Sequence, residues 1–252
     1  MLIAPFAFIG SDTRVHINGS ADASAYRFAR EPDLSRDGKA LVYWADDGKG
    51  PIRLQLRDIT TKKERTLRRS NLRSPRFSPD GKTVCFTEFR DNVWALCTIS
   101  SSGGAVRVIQ KSGDVFMPVW QDEGSLYAQV GSKFVAMDYR GDIVRPYPLN
   151  AEGSDHTAVE GPDGTVYFTK DVPSDLPKEA NSQGFPISAV FRYTPTEGIS
   201  RVSPPKTSMR GIRVWNGRLL GEGTDGKKDG IYSLSFDGKD YRFIRNGSEP
   251  GV

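Results

Sequence analysis

Histidine and cysteine are scarce: the 252 residues hold only His16 and His156, and only Cys85 and Cys97. Histidine is the commonest general base, so its scarcity leaves acid–base chemistry to carboxylates. No set of His and Cys stands at metal-ligand spacing. Long apolar runs are also missing: no segment approaches the roughly 20 apolar residues that span a bilayer as a helix, so no membrane insertion is expected. The opening "MLIAPFAFIGSDTRVHING" lacks the basic flank of a signal peptide and reads as a strand at a mature N-terminus. No long stretch has helical periodicity. Charge of one sign is not in large excess, with 35 Lys and Arg against 31 Asp and Glu; such a balance is too even to imply nucleic-acid binding.

Turn formers are plentiful, with 26 glycines and 16 prolines scattered along the chain. They punctuate a repeat. The stretch "SPRFSPDGKTVCFTE" at 74–88 has counterparts in "EPDLSRDGKALVYWAD" at 31–46 and "MPVWQDEGSLYAQV" at 117–130, and Pro32, Pro75 and Pro118 are spaced by 43 residues twice. Fainter copies are "HTAVEGPDGTVYFTK" at 156–170 and "GIRVWNGRLLGEG" at 211–223. Each copy continues as short alternating strands, for example "TVCFTEF", "NVWALCTIS" and "AVRVIQ", parted by Gly, Asp, Asn and Ser. Four antiparallel strands per unit of roughly 40–45 residues is the signature of a propeller blade. Cys85 and Cys97 fall on neighbouring strands and read as small core residues rather than a disulfide or metal pair.

The ends supply a sixth blade. "EPGV" at 249–252 matches the start of an innermost strand, and "APFAFIGS", "TRVHING" and "AYRFAR" supply three outer strands without an innermost one. The expected fold is all-β: a six-bladed β-propeller of four-stranded antiparallel blades, its ring closed by the C-terminal strand joining three N-terminal strands. Closure would remove exposed sheet edges. The blades fall near 249–252 plus 1–30, 31–70, 74–112, 117–150, 156–205 and 210–247, as one domain.

The repeat has a physical basis. Asp80 can bond the amides that follow it, Gly81 accepts positive φ and Pro79 fixes the entry to the turn. Phe77, Phe86, Trp120 and Trp215 are expected to pack between blades. With these features "FSPDGKTVCFTE" and "LSRDGKALVYWAD" resemble the Pro-Asp repeats of TolB-like six-bladed propellers, relatives of the WD-repeat families, over nearly the whole chain. The resemblance implies protein partners, because such propellers commonly engage peptides or proteins near the channel mouth.

Recognisable catalytic motifs are absent. There is no Gly-x-Ser-x-Gly elbow and no phosphate-binding loop. Gly81 follows Asp80 directly, which does not fit a sialidase-like Asp box. His16 reads as structural, and Asp155 and His156 as turn residues, with the channel mouth as their functional alternative. No cofactor is indicated, although channel carboxylates could hold a divalent cation such as Ca²⁺.

Two features interrupt the repeat. "KKERTLRRSNLRSPR" at 62–76 sets seven basic residues against one Glu; it includes Lys62, Lys63, Arg68, Arg69 and Arg73. The insertion "DVPSDLPKEANSQGFP" at 171–186 brings Asp175, Lys178 and Glu179, and the loop "GTDGKKDG" at 223–230 brings Lys227 and Lys228. These ten residues are the expected partner-binding set, with the insertion and the crossing around Arg69 to Arg73 on one face.

The expected function is non-enzymatic: docking of protein partners on that face, or service as a structural subunit of a larger assembly such as a phage tail. The alternatives are a lactonase or glycosidase using channel carboxylates, and a polyanion-binding module working through 62–76. Nucleic acid is the less favoured partner, because that segment lacks interleaved aromatics. A cytoplasmic location or a place in a virion or other assembly is equally compatible; oligomeric state is not encoded in any motif.

Overall fold

A computed structural model describes residues 5–17, 26, 28–111, 113–121, 124–150, 156–178 and 180–252; the side chains of residues 148 and 150 are not described. The chain opens with β1 (Ala7–Ile9) and β2 (Val15–Ile17). Five meanders follow: β3 (Ala29–Leu34), β4 (Ala40–Ala45), β5 (Arg53–Asp58) and β6 (Glu64–Arg69); β7 (Leu72–Phe77), β8 (Thr83–Arg90), β9 (Val93–Ser100) and β10 (Arg107–Gln110); β11 (Val115–Trp120), β12 (Ser125–Val130), β13 (Lys133–Asp138) and β14 (Ile143–Asn150); β15 (Ala158–Glu160), β16 (Val166–Val172), β17 (Ile187–Thr194) and β18 (Gly198–Arg201); β19 (Ser208–Trp215), β20 (Arg218–Thr224), β21 (Asp229–Leu234) and β22 (Tyr241–Arg245). The last strand is β23 (Ser248–Gly251). Each meander is a four-stranded antiparallel sheet, and the sixth sheet has the order β2-β1-β23.

Ring closure is as the sequence predicts, because β23 pairs antiparallel with β1 through Ala7↔Gly251 and Ile9↔Ser248. One detail differs. The closing strand joins two N-terminal strands among the described residues, not three. Of the segment expected to supply the third, "AYRFAR", residues 25 and 27 lie outside the described residues, and Ala29 and Arg30 open β3, the innermost strand of the next blade. No helix long and apolar enough to cross a membrane occurs among the described residues.

The recurring turn is built as its residues demand. Asp80 Oδ1 accepts from Ser78 Oγ at 2.6 Å and from the Lys82 amide at 3.0 Å, and Gly81 sits at φ +70°. Asp37 repeats the arrangement with Ser35 and Lys39, and Asp237 with Ser235 and Lys239. Side-chain caps of this kind satisfy amides that the reversal of the chain would otherwise strand.

The core lies between the blades. Phe77 and Phe86 of one blade pack with Val42, Leu54 and Leu56 of its neighbour. Trp215 meets Phe6 edge-on at 5.3 Å across the join to the sixth blade, and Trp120 packs against a cluster containing Cys85 and Leu96 of the preceding blade. Cys97 pairs with Phe86 and Cys85 with Thr98, so the two thiols are offset by one residue and project from opposite faces of their sheet. Both are buried and free.

Alternating strand direction gives the ring two unlike ends. The crossings between blades, and the connections between second and third strands, lie on one face, here the crossing face. The Asp-Gly turns lie on the other, the turn face.

Candidate channel-mouth site

The six innermost strands, β3, β7, β11, β15, β19 and β23, converge on a central channel. Five of them share a distortion near the crossing face: Glu31, Ser74, Met117, Gly211 and Glu249 all have φ between +47° and +60°. Ladder register shifts at these places, between Arg30 and Asp33, Arg73 and Arg76, Phe116 and Val119, and Arg210 and Arg213. Glu31, Ser74 and Met117 keep the 43-residue spacing of the prolines that follow them. A left-handed conformation in a non-glycine residue costs on the order of 1–2 kcal/mol, and strain of this kind concentrates at binding sites and switches.

Inside this ring of bulges lies a cavity of about 280 Å³, whose wall includes Arg30, Arg73, Arg76, Arg210 and Arg213. Glu31, Glu222 and Glu249 alternate with them. The carboxylates are fully engaged. Glu31 accepts from the Ser74 amide and hydroxyl and from Trp44 Nε1. Glu249 accepts from the Glu31 amide and Arg30, and Glu222 from the Glu249 amide and Arg210. Burial raises the Glu249 pKa above the ordinary glutamate value. Among the described residues no group of three or more His, Cys, Asp and Glu is placed to hold a metal ion.

Deeper in the channel, Arg76 and Arg213 are 5% and 3% exposed. Arg76 Nη1 donates to the carbonyls of Glu31 and Pro75, and Arg213 Nη1 to that of Ile212. The Nε of each is buried without a partner. Beside them Asp33 accepts from the Phe77 amide at 2.8 Å. Burial pushes Asp33 up to about 6 against the pull of Arg76. Burial, then repulsion from Arg76, lowers Arg213 to about 9. Both arginines also line a wider cavity of about 650 Å³ that opens on the turn face beside Ser35, Pro79 and Trp215. They form the waist between the two mouths.

The sequence-predicted docking residues do not form one patch. Arg69 and Arg73 reach the crossing face, where Arg73 lies 4.6 Å over the Trp94 ring. Arg68 is held at 2.8 Å by the buried Glu88. Lys62 and Lys63 sit in the β5–β6 turn, whose Ile59 amide bonds Lys39 O in the Asp-Gly turn; they therefore lie on the opposite face. Asp175 pairs with Arg201 at 3.2 Å, and Lys178 is exposed. Glu179 lies outside the described residues. The insertion folds onto the loop of Lys227 and Lys228: Gly226 is packed so closely on Pro177 that a Cβ there would fall 2.9 Å from the ring. Asp225 Oδ1 accepts from the amides of both lysines.

The histidines are spoken for. His16 lies 2.8 Å from Asp12 and stacks on Phe8, and His156 is buried beside Thr169, 3.8 Å from Asp171. Asp155 lies outside the described residues. What sequence reading missed is the inner ring itself. A hint was available, since Asp33 and Arg76 each follow a repeat proline, where a propeller's inner strand is otherwise apolar.

No protein-family model and no curated protein matches the chain. Solved structures do. A putative TolB from Agrobacterium tumefaciens superposes with a TM-score of 0.67 at 12% identity, over 96% of this chain and 88% of that one. TolB from Acinetobacter baumannii gives 0.66 at 16%, over 98% of this chain and 66% of that one. A puromycin-hydrolysing peptidase from Mycobacterium tuberculosis gives 0.59 at 13%, over 96% of this chain but only 44% of its own length. At such identities the likeness is one of architecture, and with the six sheets and the closed seam it makes this chain a TolB-like six-bladed β-propeller in fold.

Proposed function

We propose that the chain is a non-catalytic docking propeller whose crossing face receives a protein partner at the channel mouth. The observation that carries this reading is an aromatic pair on that face, linked to the mouth by Arg73, which lines the cavity there. Phe89 and Trp94 lie 5.5 Å apart, Arg73 covers Trp94, and Phe28, Phe89 and Phe185 are all more than 40% exposed on this one face. Aromatics and Arg dominate the energetics of protein interfaces, whereas Lys does not. The TolB-like resemblance supports the same reading. The hydrolase alternative lacks a comparable observation, because the mouth carboxylates spend their oxygens on donors within the ring.

Photo-crosslinkers placed at Phe89, at Phe185 and, on the opposite face, at Lys63 would test the assignment in a lysate of the source organism. Discrete protein adducts are expected from the first two positions and none from the third. Adducts from Lys63 alone, or none at Phe89 and Phe185, would refute docking on this face. Adducts there that disappear with nuclease would move the assignment to a polyanion.

A further inference from the structure

Arg76 and Arg213 are not explained by packing or by protein docking at the rim. A buried guanidinium normally has a carboxylate or several carbonyls to replace the water it gave up. Among the described residues each of these two uses Nη1 on backbone carbonyls and leaves Nε without a partner. The Nε edge of arginine is half of the planar fork that grips a carboxylate in two parallel hydrogen bonds. Both arginines line the 280 Å³ cavity inside the ring of bulges, with the Nε atoms themselves buried.

Charge selects the ligand. Five arginines and three glutamates line that cavity, and Asp33 lies just below them, which leaves one positive charge over at neutral pH. A monoanion restores neutrality where a dianion would overshoot. Size selects it too, because the space suits a small molecule or the final residues of a chain rather than a folded segment. The geometry points to a carboxylate-binding site at the waist of the channel, with Arg76 and Arg213 as its two forks, filled either by a free carboxylate or by the terminal carboxylate of a peptide. The site stands whether or not the rim docks a protein.

Thermal unfolding at pH 7 and constant ionic strength, with chloride replaced stepwise by acetate, or with triglycine or triglycine amide hydrochloride added and sodium chloride adjusted to match, tests this. Acetate or triglycine should raise Tm saturably, by about 3–6 °C at ten times the dissociation constant. Arg76→Met and Arg213→Met should abolish the rise, and Lys133→Ala, on an exposed strand position, should keep it. Should either Met variant fail to fold, Arg213→Lys retains the charge without the fork, and it too should lose the rise. Triglycine acting at least tenfold more tightly than its amide would identify a chain end as the source. Equal potency of acetate and triglycine would identify the free carboxylate. No saturable rise in the wild type, or a rise that persists in Arg76→Met and Arg213→Lys, would overturn the proposal.

Discussion

Glu249 Oε2 accepts a hydrogen bond of 2.6 Å from the backbone amide of Glu31, 218 residues away in sequence. Glu31 is a bulge residue at φ +48°, and a bulge leaves its amide out of the strand ladder. The relation repeats around the ring: Glu31 Oε2 takes the Ser74 amide at 2.8 Å, and Glu222 Oε2 takes that of Glu249 at 3.2 Å. Three of the five distorted inner strands, β3, β7 and β23, thus have the bulge amide capped from the blade before. At the seam, where β1 is only three residues long, the cap supplements a short ladder.

Glu249→Ala should therefore weaken the closed ring. It strands the Glu31 amide and removes the partner of Arg30, which together predict a loss of about 1–3 kcal/mol by urea unfolding. Glu249→Gln keeps an acceptor and should lose less. The exposed Arg192–Glu197 pair sets a baseline, because Glu197→Ala should cost no more than about 0.5 kcal/mol. Equal losses at 249 and 197 would contradict the seam role.

Two glycines should respond very differently to the same substitution. Gly81 has φ +70°, but the nearest atom to an added Cβ would be Ser35 Cβ at 4.0 Å, so Gly81→Ala should cost only the backbone term of about 1 kcal/mol. Gly251 lies against the next inner strand, where a Cβ would fall 1.8 Å from Pro32 O. Gly251→Ala must push β23 away from β3 and should cost about 3 kcal/mol or more. Comparable Tm losses for the two would mean that β23 does not fit so tightly against β3.

What could be read from sequence, and what could not, follows from how local each requirement is. The Asp80–Gly81 turn and the spacing of Pro32, Pro75 and Pro118 are demands of a few consecutive residues, so they are visible in the chain. Phe77 and Trp215 are legible because inter-blade packing needs bulk at a fixed repeat position. The bulges are hidden: glutamate, serine, methionine and glycine all occupy the same left-handed site, and the prolines that follow all of them but Gly211 ordinarily signal extended backbone. Arg76 and Arg213 are hidden because arginine is rarely buried, and only the ring brings them together. The basic run misleads for a geometric reason. A six-residue strand such as β6 spans roughly 20 Å, the height of the blade, which sends Lys62 and Arg69 to opposite faces.

Both thiols should be silent in the native protein. Burial pushes Cys85 up to about 12 and Cys97 up to about 11, so neither offers thiolate at moderately alkaline pH. Labelling with a disulfide reagent should appear only on unfolding, for both cysteines at the same denaturant midpoint as the tryptophan fluorescence change. A thiol that reacts under native conditions would show a local opening between the second and third blade strands that carry it.

The Asp33 carboxyl makes the waist a source of pH-dependent stability with an unusual sign. Its pKa rises from 3.8 in the unfolded chain to about 6 in the fold, because burial outweighs the attraction of Arg76, the Phe77 amide and Arg213. Between those values the folded protein holds a proton that the unfolded chain has released, so the contribution of Asp33 to stability falls as pH rises. Surface aspartates such as Asp80, whose pKa is lowered chiefly by the Ser78 hydroxyl, contribute in the opposite sense and at lower pH. Asp33→Asn isolates the buried group, since the amide oxygen can still accept from Phe77 while the titration is gone. The stability of the variant relative to the wild type should therefore increase by on the order of 3 kcal/mol from about pH 4 to about pH 7, read from paired urea titrations. A difference that stays flat across this range would mean that Arg76 and Arg213 keep Asp33 ionised throughout, against the effect of its burial.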